Sequence, residues 1–364
     1  MKILLPYSTH FQFVQTEGKD SKNVVLGGVE KFCQDLIDNI EGIIPVSIEK
    51  SDTEAGLTKK IVKDAVAEHD PDMIVFNNPW WTNMMLSFNK PLVCLMHEGL
   101  VRDIRMIELG PLLKRLNDNG THIYFMSKRQ YEYHVSMSKR INGDNFDFGK
   151  IKGFINPSFL APNLPYSDDM IYDTVTVGRC DILKNPFFLH NKLEKSTLNS
   201  LVMTNDGVYK SDAMNSYLEK NRKWKEPRYT FRGLPHNEVF ENLSKSKVYC
   251  STCPAESWGI TAMESLGFGL PNIFVTDSSN NHSSEIIAAD PSHYVKISRK
   301  CSSEEFESVA RNLIDTMVPR RKEIAEMTRE KHSLASWKFT IDNMIDMRYS
   351  DKNKPSMDLT EFFG

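Results

Sequence analysis

The chain has 364 residues, of which 40% are hydrophobic and 26% charged, and a formal net charge of −3. That length is generous for one core and comfortable for two, and the composition is that of an ordinary soluble globular protein. The charge excludes a uniformly basic nucleic-acid binder, the absence of a long apolar run argues against a membrane span, and six scattered cysteines fit a reduced, cytoplasmic protein better than a disulfide scaffold.

Along the chain, MKILLPYSTHF has one lysine and too short an apolar stretch for a signal peptide, so Lys2–Tyr7 reads as a first strand. A long polar loop, Ser8–Leu26, leads to Leu26-Gly27-Gly28-Val29-Glu30-Lys31-Phe32 at the start of a helix, Gly28–Ile40. Gly27 and Gly28 let backbone approach a ligand closely, and a helix N-terminus favours negative charge. Strand-like runs at Ile43–Ile48, Met73–Asn77, Pro91–Met96, His122–Met126 and Ile151–Ile155 alternate with helical patterns at Glu54–Glu68, Asp103–Asn117 and Arg129–Ser138. That alternation predicts a parallel sheet covered on both faces. Ligands of such sheets bind at the carboxyl ends of the strands, where this sequence places Asn77-Asn78-Pro79-Trp80-Trp81 and His97-Glu98-Gly99. Trp80 can stack on a sugar or base, or fill the core. Arg102 and Arg105 follow as candidates to face an anionic acceptor. Asp70-Pro71-Asp72 matches D-x-D but precedes a strand and reads as a turn.

Asn156–Asp169 carries Pro157, Pro162 and Pro165, which suits an extended linker. It divides an N-terminal domain, 1–158, from a C-terminal one, 159–333. The pattern then restarts, with strands expected at Asp173–Val177, Ser200–Thr204, Arg228–Phe231, Lys247–Cys253, Asn272–Thr276 and Tyr294–Ile297. Helices Ser303–Thr316 and Pro319–Lys331 close the second domain. A last helix spans Leu334–Met347, and the polar tail 350–364 reads as loose. The fold class is α/β, with two doubly wound Rossmann-like domains. Cys250 and Cys253 form C-x-x-C at a strand end, where buried structural thiols are expected. Basic clusters at Lys128-Arg129, Lys139-Arg140, Lys220–Arg232 and Arg320-Arg321-Lys322 suit solvated helix faces or, alternatively, phosphate contacts.

In the second domain, Gly178-Arg179 ends the first strand and Lys184-Asn185-Pro186 follows. Arginine offers a planar fork to phosphate oxygens, and lysine a point charge. Further on, Ser251–Glu285 runs from a strand through a small-residue loop holding Glu256 into a helical run, Gly259–Phe268, holding Glu264. Unpaired N–H groups at such a helix start make an anion site, and an acid one or two turns in can reach a sugar hydroxyl joined to that anion. The alternative is an ordinary strand-loop-helix unit whose acids face water.

The segment ESWGITAMESLGFGLP, Glu256–Pro271, resembles the donor signature of retaining glycosyltransferases of the two-domain GT-B fold, E-x-[FW]-G-[IL]-x-x-x-E-[AS]-[ML]-x-x-G-x-P. The resemblance implies two domains facing across a cleft, an acceptor-side domain at 1–158, a donor domain at 159–333, and a helix near 334–347 that crosses back onto the first domain. It implies that Arg179 and Lys184 contact the donor diphosphate, with Gly178 and Gly28 beside it. The family more often has Lys-Gly where this chain has Lys184-Asn185. Glu264 would accept from the ribose hydroxyls and Glu256 would meet the donor sugar. The amides of Ser257, Trp258, Gly259 and Ile260 would face sugar and phosphate. Phe231-Arg232-Gly233-Leu234-Pro235-His236 resembles the segment whose main chain reads the base, which points to Leu234. His97 would approach the donor sugar. The co-substrate implied is a nucleotide diphosphate sugar, uridine by family frequency, with no cofactor and no essential metal. Pro91–Met106 further resembles the T-even-type bacteriophage DNA glucosyltransferases. That implies an acceptor of 5-hydroxymethylcytosine in double-stranded phage DNA, modified in the host cytoplasm. The alternatives are a lipopolysaccharide or capsular polysaccharide glycosyltransferase and a non-catalytic nucleotide-sugar-binding protein.

Overall fold

The structure is a computed structural model that describes residues 1–9, 28–54, 56–97, 105–156, 158–161, 163–164, 167–179, 184–205, 229–230, 236–253, 258–276 and 287–351. The chain forms two compact units, one reaching Phe159 and resuming at Leu334, the other spanning Leu160–Ser333. No helix among the described residues is long and apolar enough to cross a membrane.

The first unit holds β1 (Ile3–Thr9), β2 (Ile43–Glu49), β3 (Met73–Phe76), β4 (Leu92–Met96), β5 (His122–Phe125) and β6 (Gly153–Phe154). They pair in the order β2-β1-β3-β4-β5-β6, all parallel. Alternate residues feed two cores, because side chains alternate across a strand. Leu4, Ile74, Phe76, Cys94 and Phe125 enter one, with helices Thr58–His69, Arg105–Asp118 and Lys128–Asn142. Ile3, Leu5, Val75, Leu95 and Tyr124 enter the other, with helices Gly28–Asn39 and Leu334–Ser350. Burial on both faces is why these strands read as unbroken apolar runs.

The last helix, Leu334–Ser350, packs Trp337, Ile341, Met344 and Ile345 into the second of these cores. Trp337 Nε1 donates to Asn156 O at 3.1 Å and Arg348 Nε to Leu92 O at 3.1 Å. Just beyond it, Asp351 accepts from His122 Nε2 at 2.8 Å and Lys152 Nζ at 2.9 Å. The chain is therefore pinned through Asp351, and 352–364 lie outside the described residues. Asp70, at φ 42°, caps the helix Thr58–His69, and Asp72 accepts from Lys2 N, so Asp70-Pro71-Asp72 is a turn.

The second unit holds β7 (Tyr172–Arg179), β8 (Ser200–Asn205), β9 (Tyr229–Thr230), β10 (Ser246–Ser251), β11 (Asn272–Thr276) and β12 (Tyr294–Ser298). Their order is β12-β11-β10-β7-β8-β9, all parallel. Counted from β7 this is the order of a dinucleotide-binding sheet, with its direction of winding reversed between β7 and β10. The corresponding reversal in the first unit falls between β1 and β3.

Arg321 corrects the expectation of a solvated basic cluster. It is 8% exposed, and its guanidinium donates to Phe268 O, Ser167 O and Ser244 O at 2.9, 2.9 and 2.6 Å. Five planar donors let one arginine satisfy carbonyls from three separate segments. Its neighbour Arg320 meets Glu323 at the surface. Cys33, Cys94, Cys250, Cys253 and Cys301 are buried, and burial pushes the Cys94 and Cys250 thiols well above the ordinary range. A thiol held protonated in this way is not a redox nucleophile.

Candidate functional site

The second unit's switch point brings the ends of β7 and β10 side by side, with Val248 opposite Thr174 and Tyr249 opposite Val175. Beyond β10 the chain reaches Gly259, whose φ of 83° and ψ of 70° place it in the left-handed region as the cap of helix Ile260–Gly267. Glycine adopts that conformation without penalty, and it has no side chain to cap the helix. The first-turn N–H groups, Ile260 included, thus have no capping side chain from Gly259 to satisfy them.

Glu264 lies on that helix and is 3% exposed. His236 Nε2 donates to its Oε1 at 3.0 Å. His236 opens the helix His236–Ser244, its side chain is about half exposed, and its ring meets Phe240 edge-on at 4.3 Å. The pair leaves Glu264 anchored by one oxygen while the carboxylate retains further acceptor capacity.

Arg179 closes β7 opposite Asn205. After it, Lys184 returns across Gly178, where an added Cβ would sit 3.4 Å from Lys184 Cβ. Thr252 Oγ1 donates to Lys184 O at 2.6 Å, and Thr176 Oγ1 lies 3.4 Å from Thr252 Oγ1. These contacts tie the segment after β7 to the end of β10. Asn185 has φ 40°. Asparagine tolerates the left-handed region best after glycine, so Asn185 can make this turn without a glycine. A β-branched residue cannot adopt that backbone cheaply. Asn185→Val is expected to destabilise the second unit by about 1–2 kcal/mol, whereas Asn185→Gly stays within about 0.5 kcal/mol, read from urea midpoints.

Trp258 is 3% exposed, and its side chain belongs to the core of the second unit. Glu256, Ser257 and Leu234 lie outside the described residues.

In the first unit, Gly28 starts the helix Gly28–Asn39 beyond β1. Phe32 on that helix sits 4.6 Å from the ring of His97, just past β4, and Cys33 Sγ accepts from Asn77 Nδ2, just past β3, at 3.2 Å. One helix thereby gathers two adjacent strand ends. Burial lowers the His97 pKa from 6.5 to about 3, and its Nε2 is sealed without a hydrogen-bond partner among the described residues. His97 is therefore a neutral donor or acceptor, not a cation. Trp80 and Trp81 form a single 3₁₀ turn capped by Asn78 Oδ1 on Trp80 N at 3.0 Å. Both pack against the core, which favours the packing alternative for Trp80. Arg105 begins the helix Arg105–Asp118; Arg102 and Gly27 lie outside the described residues. Of the site residues the structure brings together, His236 is the one the sequence analysis did not assign.

Three histidines predict an acid-sensitive fold. His97, His122 and His332 are lowered from 6.5 to about 3, 4 and 4, each chiefly by burial. For His122, Lys152 and Arg348 add to burial, and Asp351 opposes them. The unfolded chain takes up protons near pH 6.5 that the folded chain refuses. Stability is thus full above about pH 6.5 and falls as pH drops toward about 4, by about 1.4 kcal/mol per pH unit for each histidine. Calorimetry is expected to show the thermal midpoint dropping by on the order of 10 °C between pH 6.5 and 5.5. A flat midpoint would contradict the buried neutral rings.

No protein-family profile and no curated protein matches the chain. Solved structures match it over nearly its whole length. HepE of Anabaena in complex with UDP-glucose superposes with a TM-score of 0.69 at 15% identity, covering 95% of this chain and 99% of that one. Sucrose-phosphate synthase of Thermosynechococcus elongatus gives 0.71 at 12%, covering 96% and 100%. An α-glucosyltransferase in complex with UDP and a 13-mer DNA containing a hydroxymethyluracil (HMU) base gives 0.53 at 16%, covering 95% and 99%. The fold is thus the α/β GT-B type expected from the sequence, built on two parallel sheets.

Proposed function

We propose that the protein is a retaining glycosyltransferase that moves a sugar from a UDP-sugar to a hydroxyl acceptor, and that the acceptor is 5-hydroxymethylcytosine in double-stranded phage DNA. The observation that carries the donor half is Glu264. It is a buried acid at the carboxyl end of a reversed sheet, bonded to His236 and set one turn beyond the glycine-capped start of helix Ile260–Gly267. A helix start binds a diphosphate, and an acid one turn on suits the attached ribose. Solved structures of the same fold hold UDP and UDP-glucose.

In this reading Glu264 accepts from the ribose hydroxyls, Leu234 meets the base, and Glu256 holds the donor sugar with the amides of Ser257, Trp258, Gly259 and Ile260. Arg179 and Lys184 stabilise the departing diphosphate, beside Gly178. The acceptor hydroxyl attacks the face from which the diphosphate leaves, through an oxocarbenium-like state, and the acceptor proton passes to the leaving phosphate oxygen. Positioning and electrostatics carry the catalysis, so the reading calls for no cofactor and no essential metal. His97, as a neutral ring, hydrogen-bonds the donor sugar. Gly28 lies beside the donor diphosphate, and Gly27, Arg102 and Arg105 meet the acceptor. Removing one donor to a developing anion typically lowers turnover about 10²–10³-fold. Lys184→Ala is therefore expected to lower kcat about a hundredfold, measured as UDP release.

The DNA acceptor rests on the Pro91–Met106 resemblance and on a solved structure of this fold that holds modified DNA. Lys128, Lys139 and Arg140 are exposed on the helix Lys128–Asn142, where basic side chains can meet phosphates. The test is transfer from a panel of UDP-sugars, glucose and arabinose included, to duplex DNA with and without hydroxymethylcytosine, read by nucleoside mass spectrometry. A mass gain on the modified base alone supports the reading. UDP release only with a lipid or glycan acceptor moves the protein to surface-polysaccharide synthesis. Binding without transfer or hydrolysis leaves a nucleotide-sugar-binding protein.

A further inference from the structure

His332 occupies an unusual junction. It is 2% exposed and caps the helix Arg321–Lys331, one residue before the chain leaves the second unit at Ser333. Its carbonyl accepts from Leu160 N at 2.7 Å, and Leu160 is the residue at which the chain enters that unit. The two places where the chain passes between units are thus hydrogen-bonded to each other through this residue. Its ring reaches the other way. Nε2 lies 2.8 Å from Ile287 O, and the ring meets Trp258 edge-on at 5.9 Å. Trp258 immediately precedes Gly259, the cap of the helix that carries Glu264.

The polar atoms at this contact are complementary. A carbonyl only accepts, so His332 Nε2 carries the proton, and in the neutral ring Nδ1 is an acceptor. Burial holds the ring neutral, lowering its pKa from 6.5 to about 4. Trp258 Nε1 is a donor only. Both His332 Nδ1 and Trp258 Nε1 are sealed from solvent with no hydrogen-bond partner among the described residues. A buried donor and a buried acceptor, each unsatisfied and on rings already in contact, gain from meeting.

We propose that His332 is a positioning residue of the donor site: when a nucleotide diphosphate binds at the start of helix Ile260–Gly267, Trp258 Nε1–H closes onto His332 Nδ1. Occupancy of the donor site is then transmitted to the paired chain crossings at Leu160 and Ser333. This rests on the donor site proposed above and adds to it a residue outside the glutamate signature.

The test uses the full-length protein labelled with ¹⁵N-tryptophan and titrated with UDP, with binding followed by calorimetry on the same samples. Trp258→Phe assigns the indole resonance. His332→Leu removes both ring nitrogens, while His332→Gln keeps an amide N–H for Ile287 O and a carbonyl oxygen that can accept from the indole, so it serves as the rescue. In the wild type, UDP is expected to move the Trp258 indole resonance downfield and to slow amide exchange at 158–161 and 332–336. In His332→Leu both responses are lost and UDP affinity falls about fivefold, whereas amide protection at 260–264 remains, and His332→Gln restores the indole response. UDP binding with an unmoved indole in the wild type, or with crossings that respond equally in His332→Leu, would overturn the inference and leave the donor site standing. No UDP binding to the wild type would overturn both.

Discussion

Glu264→Ala is expected to weaken UDP binding about a hundredfold while the protein stays folded. Two hydroxyls donating to one ionised carboxylate contribute about 1.5–3 kcal/mol each, and each 1.4 kcal/mol is tenfold in affinity. The carboxylate is 3% exposed and bonded to His236, so it is held in place before the ligand arrives. Glu264→Gln keeps the shape and one carbonyl oxygen but removes the charge, and a loss of at least tenfold is expected. His236→Ala frees the carboxylate without removing it, so a smaller loss of about two- to tenfold is expected, the worth of one hydrogen bond. Isothermal calorimetry with UDP reads all three. Unchanged affinity in Glu264→Gln would sink the ribose assignment.

Gly269→Ala carries the largest expected effect on stability. Gly269 has φ 80°, and an added Cβ would stand 2.2 Å from the carbonyl oxygen of Arg321. The left-handed backbone alone costs an alanine about 1–2 kcal/mol. The overlap is with main chain at the start of helix Arg321–Lys331, so that helix must move, at about 1–3 kcal/mol more. Arg321 would move with it, and its three carbonyl partners on separate segments would lose their shared donor. The sum, about 2–5 kcal/mol, is a large share of a typical domain's stability. A fall of about 10 °C in the second unit's thermal midpoint is expected. Gly267→Ala is the control two residues away. There the added Cβ meets Leu160 Cδ1 at 2.7 Å, the end of a flexible side chain, and a cost of only about 1 kcal/mol is expected. Equal effects of the two changes would contradict the packing described.

Much of the fold is legible in the sequence because of where its strands lie. β3, β4, β5 and β11 are buried along their whole length, so each prints a short, largely apolar run whose length and aromatic or β-branched content mark it as a strand. The helices Lys50–Glu54, Thr82–Leu86, Phe187–Leu193 and His236–Ser244 were not placed by the sequence. They span too few turns to show a period of 3.6. Arg321 misleads for a different reason. Nothing local distinguishes a basic residue on a wet face from one that threads between three segments, since its acceptors are main-chain carbonyls with no sequence signature.

The site divides along the same line. Gly259 and Glu264 belong to one contiguous stretch, and their spacing places an acid one turn past a helix start. Gly178 and Lys184 are close in sequence, and the Lys184 side chain stands over Gly178. His236 is 28 residues from Glu264, and a single histidine at the start of a short helix carries no pattern that would announce a carboxylate partner. Trp80 was open between stacking and packing because both uses demand the same residue. Only its place against the core of the first unit separates them.

The proposed site for the nucleotide diphosphate sugar lies at the carboxyl ends of β7 and β10, the two central strands of the second unit's sheet. A crystal structure of the protein with UDP tests it most directly. The expected result is a diphosphate over the amides at Gly259 and Ile260 and beside Lys184, with both ribose hydroxyls within 3 Å or so of the Glu264 carboxylate. UDP bound elsewhere, or with its ribose turned away from Glu264, would contradict that placement.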